Sequence, residues 1–99
     1  MRHELEAGGI GGIGASTKGN VLLQWCGIGP ELLPEIGEIN PDKLGHVTPG
    51  TGIPIVAQAE TLARYDKLLV LPWHFDMKFP GKRLLYPLPF APQWRNADG

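Results

Sequence analysis

The chain has one cysteine, Cys26, and so can form neither an internal disulfide nor a cysteine-based zinc site. That excludes the disulfide-stapled secreted domains and points to a cytoplasmic setting. Charge of either sign is sparse: nine Lys and Arg stand against ten Asp and Glu, for a formal net charge of −1. The cations are scattered singly, so no basic face for nucleic acid or an anionic membrane is expected. No apolar run approaches the roughly 18 residues of a membrane span, and glycines follow Met1–Glu6 where a signal peptide would have an apolar stretch. His3, His46 and His74 lie on separate segments without a carboxylate at ligand spacing, so no metal site is expected.

What is abundant is punctuation. Fourteen glycines and ten prolines in 99 residues demand much turn and loop around one modest core. Residues 1–8 are short, polar and helix-prone, the pattern of a connecting segment that frays. Residues 9–20 form a glycine-rich loop in which only Ile10 and Ile13 could serve a first strand, weak or very short. From Lys18 to Cys26 apolar residues recur at spacings of one, three and four, with Gly27 as terminator, which predicts a short, mostly buried helix. Within it Cys26 reads as a buried, inert thiol and not as a nucleophile.

A second strand is expected near 35–39, and residues 40–52 are turn chemistry almost throughout. Ile53–Val56 reads as an edge strand because its proline cannot donate to a ladder. Gln58–Tyr65 has the composition of a short helix, and the apolar run Lys67–Leu71 reads as a strand covered on both faces of a parallel sheet. Arg83–Tyr86 is the last expected strand, and residues 90–99 read as a Pro-rich polar tail. Strands alternating with helices and Gly-rich turns predict an α/β fold: a small Rossmann-like, open, mostly parallel sheet of about four to five strands with few helices over residues 9–89.

The glycine loop has two mechanistic precedents that it does not satisfy. A P-loop needs Lys directly after its second glycine, but Gly14 and Gly19 bracket Lys18 and Asn20 follows. A dinucleotide fingerprint needs glycine at position 17, which is Thr. What remains is a helix N-terminus whose backbone amides, Ser16 and Thr17 hydroxyls and Lys18 ammonium could bind a diphosphate. The same residues equally describe a tight strand-to-helix turn with a capping Ser or Thr.

Three stretches, taken together, resemble a known family. Gly12–Asn20, then Asn40-Pro41 through Lys43, Gly45 and Thr48-Pro49-Gly50-Thr51 to Ile53–Ile55, then Leu71-Pro72-Trp73-His74-Phe75 are similar in order and spacing to the C-terminal domain of the sugar C-methyltransferases. These are S-adenosylmethionine-dependent enzymes acting on nucleotide deoxysugars. The likeness covers roughly residues 10–89. It implies a Rossmann-like lobe that would follow a zinc-binding region and a central S-adenosylmethionine-binding domain, with the proton-abstracting residues in that central region. No catalytic residue carries over to this chain, and no cofactor is expected on it.

The substrate residues that the resemblance suggests are Gly12, Gly14, Ser16, Thr17, Lys18 and Asn20 in the glycine loop, Thr48, Gly50 and Thr51 in the second loop, and Trp73 and His74 after the best strand. The expected ligand is a nucleotide-diphosphate sugar, and the expected partner is a separate or upstream S-adenosylmethionine-binding domain. Two departures stand out: the first strand is meagre, and only residues 76–82 link the Trp-His-Phe segment to the last strand. A parallel crossover needs about a dozen residues, so either that strand pairs differently or the domain is reduced. The alternative function is a small interaction or structural module that keeps the scaffold without binding ligand, suggested by those departures, by Trp94 and by the Pro-rich tail.

Overall fold

Glycines that read as loop in the sequence form the middle of the sheet. The computed structural model describes residues 2–72, 79–87 and 93–96. Strand β1 (Ile10–Ile13) is buried along its whole length and pairs in parallel with both β2 (Ile36–Glu38) and β4 (Lys67–Val70). β3 (Ile55–Ala57) adds in parallel outside β2, and β5 (Arg83–Tyr86) in parallel outside β4. An antiparallel β6 (Gln93–Asn96) completes the order β3-β2-β1-β4-β5-β6. The fold is an open α/β sheet of five parallel strands with β6 antiparallel beside them.

Three expectations about the strands change. The first strand is very short but not weak. Its glycines allow a close approach that a longer side chain would prevent: a Cβ on Gly11 would meet Tyr65 Cδ2 at 2.7 Å, and one on Gly12 would meet Ile36 Cγ1 at 2.9 Å. The segment expected to end in a tail contributes a strand at 93–96. The last parallel strand pairs directly with β4, so the link through residues 71–82 does support a parallel connection. Proline placed β3 correctly, at an edge of the sheet.

Among the described residues three α-helices accompany the strands. α1 (Arg2–Glu6) does not read as a fraying end, because Leu5 is only 1% exposed and packs with Ile10, Leu23 and Ile28. α2 (Thr17–Cys26) begins where the Ser16 side chain accepts from the Gly19 N–H at 3.0 Å. It ends at Gly27, whose φ of 69° is the left-handed conformation that favours glycine, with Ile28 N–H closing on Leu23 O at 2.9 Å. α3 (Gln58–Arg64) lies against the opposite face of the sheet. Thr61 there donates to Glu35 Oε2 at 2.6 Å, while Arg64 forks onto the same carboxylate at 3.0 Å through both Nε and a terminal nitrogen.

The period-two alternation of the strands divides the core accordingly. Ile10, Ile36, Leu69, Leu71 and Leu85 pack with Leu23 of α2, and Ile13, Leu68, Val70, Leu84 and Tyr86 form a second cluster with Leu62 and Tyr65 at and beside α3. Among the described residues no helix is long and apolar enough to cross a membrane.

Candidate functional site

β1 continues into β2 on one side and has β4 on the other, so the carboxyl ends of these strands make the switch point of the sheet. In open α/β sheets ligands bind in that crevice. Two hollows lie there and share Ala15, Ser16 and Lys43. One, of about 220 Å³, is bounded by Ile13, Gly14, Glu38, Ile39, Gln58 and Pro72 besides the shared residues. The other, of about 270 Å³, is bounded by Thr17, Asn20, Thr48, Pro49 and Ile55.

The wall common to both is the backbone at Ala15, held through the two peptide groups that flank it. Its N–H donates to Glu38 Oε1 at 2.8 Å, and its carbonyl accepts from Lys43 Nζ at 2.8 Å. Glu38 ends β2, and its second oxygen accepts from the N–H groups of Ile39 at 3.0 Å and Asn40 at 2.8 Å. Burial works against ionisation of this carboxyl, but the N–H bonds from Asn40 and Ala15, the charge of Lys43 and the Ile39 N–H outweigh it and hold its pKa below the ordinary value. Lys43 is delivered by a 3₁₀ turn at Pro41–Lys43, which Asn40 caps by accepting from Asp42 N–H at 3.1 Å. Before the wall, Gly14 turns with φ 81°, and a Cβ there would meet the Pro72 ring at 2.7 Å.

The second hollow is built by a side-chain network joining α2 to the turn at 48–53. Asn20 Nδ2 and Gln24 Nε2 donate to Pro49 O at 2.9 and 2.8 Å, and the Thr51 hydroxyl donates to Asn20 Oδ1 at 2.8 Å. Thr51 also shares a hydrogen bond with the Thr48 hydroxyl, which accepts from Ile53 N–H at 3.0 Å. Gly50, at φ 74°, sits so close to the Gln24 amide that a side chain there would collide with it.

The structure therefore brings Gly14, Ser16, Thr17, Asn20 and Thr48 to the hollows and places Thr51 directly behind Asn20. Gly12 lies inside β1, Gly50 shapes the turn, and Lys18 is exposed on the first turn of α2 and borders neither hollow. Trp73 and His74 fall outside the described residues. Two residues were missed. Lys43 was visible as part of the second motif but was not credited with a charge role. Glu38 stands at the end of the second strand, where dinucleotide-binding sheets carry an acidic residue, and that spacing was the available signal. Chemically, the hollows offer one ammonium, one carboxylate already bonded to three backbone N–H groups, a helix N-terminus and several hydroxyl and amide groups.

Residues 2–83 match the family model described as the C-methyltransferase C-terminal domain. The chain is also 30% identical over 90 residues to a protein named C-methyltransferase NovU from Streptomyces niveus, an overlap that covers 81% of this chain and 21% of that protein. The chain thus spans about a fifth of the length of this curated relative.

Proposed function

The chain belongs to the family of C-methyltransferase C-terminal domains, and from that premise we propose that it is the nucleotide-sugar-binding lobe of an S-adenosylmethionine-dependent sugar C-methyltransferase, acting in the cytoplasm and unable to transfer a methyl group alone. The observation that carries the reading is the placement of Lys43 beside the N-terminus of α2, at the wall common to both hollows. An elongated ligand with its diphosphate at this wall would meet a cation and the positive end of a helix. The flanking hydroxyls and amides of Ser16, Asn20 and Thr48 suit sugar hydroxyls.

The methyl donor itself fits these hollows poorly. It is a sulfonium cation, and Lys43 would stand beside it in either hollow. The carboxylate that could offset this, Glu38, borders only the smaller hollow and is turned to the loop by three backbone N–H groups. This reading assigns S-adenosylmethionine to the remainder of such an enzyme. Within this chain Lys43 holds the ligand's charge, Ser16 fixes the start of α2, and Glu38 orients the loop.

The test is a titration with thymidine diphosphate sugars followed by backbone amide chemical shifts. Shifts concentrated at residues 14–20, 38–43 and 48–51 are expected. No shift at millimolar ligand would instead leave the chain a scaffold or interaction module.

A further inference from the structure

Helix α2 is apolar on two sides, and the fold covers only one. Gly19 and Leu23 are buried against the sheet and Cys26 packs against the same core, which accounts for the inner face. On the outer face Lys18, Val21, Leu22 and Trp25 follow one another at the i, i+3, i+4, i+7 spacing of a single helical stripe. Leu22 is half-buried, Val21 is 57% exposed and Trp25 is 89% exposed. The sequence predicts a mostly buried helix here, and the disagreement lies in this stripe. Scattered exposed apolar side chains are ordinary, but a Trp this bare beside an exposed Val on one helical stripe is a larger departure than a single exposed Leu.

We infer that the Val21–Trp25 face of α2 is an interdomain docking surface, and that its occupant is the part of a C-methyltransferase chain that lies outside this C-terminal domain. Length argues for this occupant: the matched segment is 21% of the NovU protein, so about four-fifths of such an enzyme is available to cover the face. A Trp is the kind of anchor that dominates interfaces. The inference rests on family membership and the shape of α2, not on what the hollows bind.

The experiment mixes this chain with the Streptomyces niveus C-methyltransferase shortened by its matching segment and reads association by sedimentation. The same enzyme with its own segment exchanged for this chain is followed in parallel for Trp25 burial by fluorescence quenching against a Trp25→Phe control. Native chain should associate and Trp25 should be shielded in the exchanged enzyme. Trp25→Glu and Val21→Lys should each weaken association tenfold or more while keeping the circular dichroism of the native fold, and exposed Glu31→Lys should have no effect. Trp25 as accessible in the exchanged enzyme as in the chain alone would overturn the inference, as would unchanged association of both variants. A dimer of the chain alone that Trp25→Glu disrupts would overturn it as well, by giving the face to a second copy.

Discussion

The ammonium of Lys43 and the carbonyl oxygen of Ala15, 28 residues apart in sequence, meet at 2.8 Å and close the back of the glycine loop. That contact places a positive charge where the loop after β1, the start of α2 and the 3₁₀ turn converge. Lys43 borders both hollows, whereas Lys18, exposed on α2, borders neither.

The first prediction separates these two lysines. Lys43→Ala should weaken binding of a thymidine diphosphate sugar by about 1.5–3 kcal/mol, the range for a charge-assisted hydrogen bond, or roughly ten- to hundredfold in Kd. Lys18→Ala should change affinity much less and leave folding within about 0.5 kcal/mol, since an exposed cation on a first helical turn gains nothing from the helix dipole. Calorimetric titration of the two variants measures both effects. A Lys18 effect equal to that of Lys43 would return the diphosphate to the outside of the first turn.

The second prediction concerns the glycine strand. Gly11→Ala places a methyl group within 3.0 Å of Tyr65 and Thr61 atoms, between the sheet and α3. Overpacking of this kind costs about 1–3 kcal/mol, so the urea midpoint should fall while the m-value stays constant. Retention of native stability would mean that α3 can move off the sheet without loss.

Much of the architecture was legible because apolar runs and helix punctuation are local signals. Lys67–Val70, Arg83–Tyr86 and the helix ending at Gly27 stand where pattern and turn chemistry put them. β1 was undervalued for a physical reason: Gly11 and Gly12 carry no side chain whose hydrophobicity could be counted, and their value is the space they leave for Tyr65, Thr61 and Ile36. The polar cluster was partly legible, since Asn20, Thr48 and Thr51 do converge. Glu38 was legible only as an acidic residue at the end of the second strand, because its grip on the loop comes from three N–H groups that only the folded chain aims at it.

The third prediction follows from that carboxylate. The pKa of Glu38 in the fold lies below its ordinary 4.5, so the unfolded chain binds a proton that the native state resists. Its contribution to stability is therefore fully present above about pH 4.5 and is lost as pH falls through the lower folded value. Glu38→Gln should flatten that part of the acid unfolding curve and lower stability at neutral pH, because a neutral amide is a weaker acceptor for Ala15, Ile39 and Asn40. Parallel acid titrations by circular dichroism give the comparison, and superimposable curves for the two proteins would remove Glu38 from the loop's support.

The fourth prediction asks whether the turn at 48–53 is held by its buried hydroxyl. Thr48 is 3% exposed, and its hydroxyl accepts from the Ile53 N–H at 3.0 Å, one residue before the proline that keeps β3 at the sheet edge. Val preserves the shape of Thr but not the hydroxyl, so Thr48→Val leaves a buried N–H without that acceptor and should cost about 1–3 kcal/mol. Thr51 is less buried, and its hydroxyl serves the Asn20 side chain, which also donates to Pro49 O. Water can replace part of what Thr51→Val removes, so its cost should be about 1 kcal/mol or less. For ligand binding both variants should matter, because Thr48 and Asn20 border the larger hollow: Thr48→Val removes a lining hydroxyl, and Thr51→Val takes from Asn20 its orienting partner. Unfolding midpoints and nucleotide-sugar affinities of the two variants together decide the matter: lowered midpoints with unchanged affinity in both would show that the network only stabilises the turn and does not shape the hollow.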